Sequence, residues 1–208
     1  KVSFIASVFT VAVGLLLALL MARRAFPGKD ILDVLIMQPL VMPPTVLGYY
    51  LLTLFGASSP VGRFLDGVFG IRVVFTWKGA VVAAFISSLP LFVKPARAAI
   101  EGVGADLENA ARLLGKTELQ VFRTVTLPLA WRGITAGAVM AFARATGEFG
   151  ATLMVAGNIP GVTQTLPIAI YDAVQMGDGG AANALTALIT LFSFAVLYIA
   201  GRFTRGRN

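Results

Sequence analysis

The sequence contains no cysteine and no histidine among its 208 residues. The absence of cysteine excludes disulfides and thiolate chemistry, and both absences together remove imidazole bases and most transition-metal sites. Only ten acidic residues are present, and no two of them form a plausible catalytic pair. We therefore predict no catalytic residues, no metal site and no cofactor.

Charge is scarce as well, because only 13% of the residues are charged, whereas a soluble domain averages about 25%. The deficit is concentrated in charge-free runs at positions 2–22, 34–62, 79–93 and 179–201. A membrane-spanning helix needs about 20 mostly apolar residues. A very apolar soluble core would not produce repeated runs of this length. The composition therefore predicts an all-α, polytopic membrane helical bundle that forms one domain over residues 1–208.

Five spans are predicted, at Val2–Ala22, Ile31–Phe55, Thr76–Val93, Ile134–Met154 and Ala181–Gly201. The third is long enough only if Lys78, just inside it, extends its amine to the membrane surface. The first exceeds the 7–15 apolar residues of a signal peptide, and two arginines follow it directly, so a retained helix is favoured over a cleaved leader. Because the chain opens on lysine rather than methionine, we expect native residues to precede it.

The formal net charge of +7 could indicate nucleic-acid binding, but the basic residues flank the apolar runs, which is typical of membrane topology. Assigning the three basic-rich segments to the cytoplasm gives twelve Lys and Arg inside and four outside. The cytoplasmic set is Arg23, Arg24, Lys29, Lys94, Arg97, Arg112, Lys116, Arg123, Arg132, Arg202, Arg205 and Arg207. The N-terminal end is thus predicted outside the plasma membrane and the C-terminus in the cytoplasm, with no nucleic-acid partner.

Three prolines interrupt the second span. Each one removes a backbone donor and kinks the helix. Such breaks are tolerated at membrane depth where protein or a water-filled cavity satisfies the freed backbone groups. Packing alone and a role in lining a pathway both remain open. The candidate pathway or gate residues here are Gln38, Pro39, Pro43, Pro44 and Thr45.

A second interruption covers residues 157–180, which are rich in Gly, Pro, Thr and Asn. Its apolar piece Thr165–Val174 is too short to span a bilayer. We predict an outer-side loop with a short helix, either on the surface or re-entrant.

Arg144 and Glu148 lie four residues apart inside the predicted fourth span, close enough to pair on a helix. A lone arginine at the bilayer centre costs at least about 2.5–3.5 kcal/mol, so it should face protein or water. The pair either locks helices or subunits together, or Arg144 lends positive potential to an anion pathway.

The connection between the third and fourth spans contains an amphipathic pattern at Asp106–Leu114. Its apolar stripe, at helical spacing, consists of Leu107, Ala110, Ala111 and Leu114. The opposite face is predicted to carry Glu108, Asn109 and Arg112. An interfacial helix lying on lipid is the alternative, and periodicity does not distinguish the two.

Local signals predict how this segment begins and ends. Asp106 is a good N-cap, and Gly115 lies where a left-handed C-terminal cap would be. Thr117 and Gln120 have the spacing of a capping box for a second helix, predicted to run to Pro128.

These residues also carry a resemblance. Glu108-Asn109-Ala110-Ala111, then Gly115, then Val125-Thr126-Leu127-Pro128 resemble the EAA loop of ABC importer permeases, whose pattern is Glu-Ala-Ala, three residues, Gly, nine residues, Ile-x-Leu-Pro. One position departs from it, because Asn109 stands where the family has Glu and Glu108 lies one residue earlier. The resemblance implies an ATPase-coupling set of Glu108, Ala110, Ala111, Gly115, Leu127 and Pro128.

Other stretches extend the resemblance across most of the chain. Residues 24–29, Gln38–Pro44 and Arg144–Thr152 are similar to molybdate and sulfate permeases, which adds Thr152 to the pathway candidates. The stretch Asn158–Pro167, followed by Ile170-Tyr171, resembles the molybdate branch.

The resemblance implies two copies of this chain lining one pathway, two cytoplasmic ATPase subunits and an external oxyanion-binding protein. The sequence has no Gly-rich phosphate loop, so the partner would hydrolyse ATP and this chain would not be an enzyme. Molybdate is the predicted cargo, with sulfate and tungstate as alternatives. A passive anion channel would not need the loop, and an intramembrane enzyme would have only Glu148 and scattered serines for its chemistry.

Overall fold

A computed structural model describes residues 1–205, so Arg207, one of the basic residues assigned to the cytoplasm, lies outside the described range. Residues 1–205 contain helices and no strand. The helices are α1 (Val2–Arg23), α2 (Lys29–Val41), α3 (Pro44–Phe55), α4 (Pro60–Phe69), α5 (Trp77–Glu101), α6 (Ala105–Leu113), α7 (Glu118–Val121), α8 (Leu127–Thr146), α9 (Gly150–Ala156), α10 (Leu166–Gln175) and α11 (Gly179–Arg205). A π-helical turn, Phe122–Thr126, joins α7 to α8.

Four helical stretches are long and apolar enough to cross a membrane, namely Val2–Arg23, Trp77–Glu101, Glu118–Thr146 and Gly179–Ile199. The pair α2 and α3 adds a fifth if it is counted as one broken span. The prediction of an all-α membrane bundle with about five spans is therefore confirmed.

The second predicted span is not one kinked helix, because α2 and α3 meet at an angle of 117°. Met42, between them, has an extended backbone (ψ 140°), the conformation favoured before a proline. Pro43 and Pro44 follow with no N–H to continue the ladder. The proline-rich stretch thus redirects the chain, whereas Pro39 is accommodated inside α2.

The fourth predicted span, Ile134–Met154, is covered by two helices rather than one. The helix already begins at Glu118 and ends at Thr146, after which residues 147–149 separate α8 from α9. The second helix was predicted to end at Pro128, but the structure continues it through this residue. The wider π turn precedes Pro128, and the Leu127 N–H donates to the Phe122 carbonyl. This spacing accommodates a residue that would disrupt a regular α-helical turn.

Helix α5 forms the centre of the bundle and packs against α1 and α8. Phe92 is fully buried, and its ring occupies the space that a side chain at Gly14 would need. A Cβ at Gly137 would lie 3.0 Å from the Phe92 carbonyl oxygen and from Pro95 Cγ. Small residues on α1 and α8 therefore allow these helices to approach α5 closely.

A second apolar cluster joins α3 and α9 to α5, around Leu47, Leu51, Ala83, Ala151 and Val155. Helices α3 and α9 run in the same direction, because Pro44 lies beside Gly150 and Gly48 lies beside Ala151 and Met154. The break between α2 and α3 is thereby brought next to the break between α8 and α9.

The segment from 157 to 180 forms a loop followed by α10, so the predicted short helix is present. Thr163, 2% exposed, organises the loop, since its hydroxyl accepts from the Ile159 N–H at 3.0 Å. The Gln164 side-chain amide donates to Asn158 Oδ1 at 3.0 Å and to Asp172 Oδ2 at 3.3 Å.

Candidate functional site

Helix α6, which carries three of the six residues of the predicted coupling set, begins at Ala105 with Gly104 in the N-cap position. The prediction that Asp106 is the N-cap is therefore wrong, and α6 has no side-chain capping bond at its start. The turn at residues 102–104 brings the chain out of α5 early enough for the N-cap to lie two residues before the predicted position. Asp106 still lies in the first turn, where its charge favours the helix dipole.

The end of α6 confirms the predicted left-handed cap. Gly115 has φ +80°, its N–H donates to the Arg112 carbonyl at 2.9 Å, and the Lys116 N–H donates to the Ala111 carbonyl at 3.2 Å. This pair of bonds is a Schellman motif. The capping box is also confirmed, since Thr117 and Gln120 exchange side-chain-to-backbone bonds in both directions.

The faces of α6 differ from the prediction. Glu108, 3% exposed, and Ala111 point into the protein. The exposed surface of α6 includes Asp106, Asn109 and Arg112 together with four apolar residues, Leu107, Ala110, Leu113 and Leu114, which we call the apolar edge. Glu108 faces inward because Arg23, at the end of α1, provides a partner for its buried carboxylate.

Glu108 is the centre of a polar clamp that involves Arg23 and Thr126. Its Oε1 lies 2.6 Å from Arg23 Nη2 and accepts from the Thr126 hydroxyl at 2.6 Å. Arg23 Nη2 also donates to the Ile100 carbonyl at 2.9 Å. The clamp therefore ties α6 to the ends of α1 and α5 and to the π turn.

A second ion pair supports the outer side of the clamp. Arg112 Nε and Nη2 donate to the two carboxylate oxygens of Glu118 at 2.7 and 3.0 Å, which raises the pKa of the guanidinium. Arg112 Nη1 also donates to Asn109 Oδ1 at 2.8 Å. Asn109, at the position where the family pattern has Glu, is thus an exposed acceptor within this chain.

The structure brings only part of the predicted coupling set together. Glu108 and Ala111 face inward, whereas Ala110 and Gly115 are exposed. Leu127 packs on the main apolar core, and Pro128 is exposed at the start of α8. Arg23 and Thr126 were not predicted, because their chain separation from Glu108 gives no local signal.

The pathway candidates divide into two groups. Gln38, Pro43, Pro44 and Thr45 are exposed at and before the break between α2 and α3, and Pro39 is half-buried. Gln38 faces an open groove of about 390 Å³, lined by Asp33, Val34, Met37 and Val41.

The second group lies at the break between α8 and α9. Arg144 Nη1 is 2.7 Å from Glu148 Oε2, so the predicted pair is present. Glu148, 2% exposed, also accepts from the Ala151 N–H at 3.0 Å and thereby connects α8 to the first turn of α9. Thr152 is buried inside α9 and does not share the exposed surface of Thr45.

Comparisons with known proteins agree with this architecture. Residues 14–207 match the family model described as "Binding-protein-dependent transport system inner membrane component". The chain is 46% identical over 199 residues to the molybdenum transport system permease protein ModB of Escherichia coli (strain K12), covering 95% of this chain and 87% of that protein. It is 38% identical over 196 residues to the sulfate transport system permease protein CysT of Salmonella typhimurium, covering 94% and 70%.

A solved structure of a bacterial ABC transporter involved in the import of the acidic polysaccharide alginate has the same fold. The TM-score is 0.78 at 16% identity, covering 98% of this chain and 75% of that one. The fold, the glycine-capped loop and the sequence matches lead to one conclusion. The chain is a multi-pass membrane protein that belongs to the family of binding-protein-dependent transport system inner membrane components.

Proposed function

We propose that this chain is the permease subunit of an ATP-driven importer that moves molybdate across the plasma membrane by alternating access. The observation that supports this cargo is the 46% identity to a molybdenum permease over 95% of the chain. Sulfate is the second candidate, because the sulfate permease is 38% identical. Tungstate shares the charge and shape of both anions.

Two cytoplasmic ATPase subunits would dock on the α6 helices of two copies of this chain. The apolar edge is the surface that such a partner would cover, because Leu113 and Leu114 are 89% and 81% exposed. Helix capping at Gly115 and Thr117 fixes the shape of this surface. An external oxyanion-binding protein would deliver the anion to the opposite side.

The clamp around Glu108 would carry the motion of the ATPases into the membrane. ATPase closure shifts a conformational equilibrium only if contacts differ between the two states. Because α6 is joined to α1, α5 and the π turn through Arg23 and Thr126, a displacement of α6 is transmitted to those elements together.

The two adjacent helix breaks are the proposed location of the pathway. Arg144 would lend positive potential to the anion there, or would serve only to hold α8 and α9 through Glu148. In the proposed orientation, the N-terminal end lies outside and the C-terminus in the cytoplasm. This orientation puts α6 on the side of the ATPases.

The proposal is tested with proteoliposomes that contain this chain, its ATPase subunits and a binding protein. We expect ATP-dependent molybdate uptake, competed by tungstate more strongly than by sulfate. The chain alone should neither hydrolyse ATP nor transport. Uptake without ATP would indicate a passive channel. Stronger competition by sulfate than by tungstate would indicate that sulfate, and not molybdate, is the cargo.

A further inference from the structure

Helix α4, Pro60–Phe69, has an apolar side and a charged side. At about 100° per residue, Val61, Phe64 and Val68 lie within about 60° of one another around the helix. All three are exposed, at 37%, 59% and 61%, and we call them the apolar face of α4. The two charged residues of the helix, Arg63 and Asp66, lie more than about 120° from the middle of this face. The other exposed residues of α4 are Pro60, Gly67 and Phe69.

The first turn of α4 is attached to the end of α3. Ser59, in the N-cap position, accepts from the Gly62 N–H at 2.8 Å, and its hydroxyl donates to the Leu54 carbonyl in the last turn of α3. Gly62 is buried, and a Cβ there would collide with the carbonyl oxygens of Phe55 and Gly56. Glycine at position 62 therefore allows the two backbones to lie in direct contact.

The segment that follows α4 is attached at the same end of the bundle. Asp66 pairs with Arg72 at 3.0 Å, and the Phe75 N–H donates to the Val155 carbonyl, in the last turn of α9, at 2.9 Å. Helix α5 begins two residues later, at Trp77. Because α5 is long and apolar enough to cross a membrane, α4 lies at the level where a span begins, which is a membrane surface. With ten residues, a length of about 15 Å, α4 is itself too short to span the bilayer.

The residues around α4 have the composition of a membrane–water interface. Three further aromatic side chains are exposed at this end of the bundle, namely Phe69, Phe75 and Trp77, at 60%, 61% and 45%. Aromatic rings, and tryptophan in particular, are enriched at the level of the lipid headgroups. Basic side chains there extend their charges towards the headgroups, and the basic residues between α3 and the first turn of α5 are Arg63, Arg72 and Lys78.

The size of the apolar face of α4 favours lipid over protein as its neighbour. A stable protein interface takes about 20–30 residues from each partner, whereas this face consists of three side chains on a ten-residue helix. Water is an unfavourable neighbour for three large apolar side chains that lie together. Lipid is already in contact with this end of the bundle, because the span α5 begins there.

We infer that α4 is an interfacial helix, with its apolar face inserted between the headgroups and the acyl chains of the leaflet in which α5 begins, and with Arg63 directed towards water. Helices of this kind bury their apolar side about 5–10 Å into the boundary between headgroups and acyl chains. The attachment through Ser59 and Gly62 then fixes the depth at which α3 ends. This position in the bilayer depends neither on the cargo nor on the orientation of the chain.

The absence of cysteine allows each position of α4 to be labelled singly. Phe64→Cys, Val68→Cys and the matched control Arg63→Cys carry a nitroxide spin label, with the full chain in vesicles of phosphatidylcholine and phosphatidylglycerol. Oxygen concentrates among acyl chains and nickel ethylenediaminediacetate stays in water, so relaxation of the label by each reagent reports its surroundings. We expect the ratio of oxygen to nickel accessibility at Phe64→Cys and Val68→Cys to be about threefold or more above that of Arg63→Cys. Equal ratios would place the face in water, and protection from both reagents would show that protein covers it. Either result would overturn the inference.

A second experiment keeps an aromatic side chain in the apolar face. Phe64→Trp and Arg63→Trp are placed in vesicles whose phosphatidylcholine is brominated in the upper part of one acyl chain, where bromine quenches indole fluorescence on contact. Both variants retain Trp77 and Trp131, so the native fluorescence is a common background. We expect the fluorescence added by Phe64→Trp to be quenched about threefold more than that added by Arg63→Trp, with or without an external binding protein. Equal quenching of the two would refute insertion, and loss of quenching when the binding protein is added would assign the face to that protein instead of lipid.

Discussion

At the scale of single residues, two glutamates within residues 1–205 are buried, and each is neutralised by an arginine. Glu108 and Glu148 are 3% and 2% exposed, and each lies against an arginine at 2.6 or 2.7 Å. A buried carboxylate without a partner is unfavourable, so each arginine is required wherever its glutamate is retained. Both pairs join separate helical segments, which makes them points where segments are held in a fixed relation.

Arg144 and Glu148 allow the structural role to be separated from a role towards the anion. Either Arg144→Met or Glu148→Gln alone should reduce dimer content and uptake, because one buried charge loses its partner. The double variant should restore assembly, since replacing both members of a buried pair is often nearly neutral. We expect its uptake to remain well below that of the wild type if Arg144 acts on the anion. Uptake in vesicles with dimer content measured in parallel decides this, and full uptake by the double variant would leave Arg144 with a structural role only.

Glu108 gives a prediction about coupling. Glu108→Ala removes the acceptor of Arg23 and Thr126, and losing such a buried bond costs about 1–3 kcal/mol. We expect faster amide hydrogen exchange in α6 and ATP hydrolysis that no longer drives uptake. Glu101→Ala is the matched control, because that glutamate pairs with Arg97 on a partly exposed surface and touches neither α6 nor Arg23. Unchanged exchange in α6 of Glu108→Ala would show that the clamp does not hold the helix.

At the scale of elements, Gly115 determines where α6 ends. Nothing lies within 4 Å of a Cβ built there, so a substitution has space and its cost comes from the positive φ alone. Gly115→Val should cost about 1–2 kcal/mol and lower ATP-driven uptake at normal membrane insertion. Gly115→Asn should retain more uptake than Gly115→Val, because asparagine tolerates the left-handed conformation better. Equal uptake by the two variants at matched expression would show that the left-handed backbone conformation at residue 115 is not the cause of the lost uptake.

Local features of the elements were predictable from sequence, and contacts between distant segments were not. Gly115 and the Thr117–Gln120 box depend on residues three to five positions apart, so their patterns suffice. The π turn and the break at residues 147–149 were not predicted, because neither leaves a trace in hydropathy. The inward direction of Glu108 depends on Arg23, which reaches it only after α1 and α5 have packed together.

At the scale of the whole molecule, the proposed orientation has a direct test. In the cysteine-free background, Ser58→Cys lies between α3 and α4, and Leu113→Cys lies on α6. In cells that express the chain without partner subunits, an impermeant thiol reagent should label Ser58→Cys from outside. It should label Leu113→Cys only after the membrane is opened. The reverse pattern would invert the topology and exclude α6 as the ATPase contact.

The π turn before α8 has a consequence for helical phase. Val121 and Thr126 are both buried although they are five positions apart, whereas a regular α-helix presents the same face again after three or four positions. The turn therefore resets the angular register of the helix between the cytoplasmic loop and the span. Because of this offset, Thr126 points at Glu108 while Pro128 stays on the exposed side. Removing one residue from Phe122–Thr126 would restore a uniform register and rotate the loop by about 100° relative to the span. The extra residue of the π turn therefore determines the direction in which the apolar edge of α6 faces relative to the membrane helix α8.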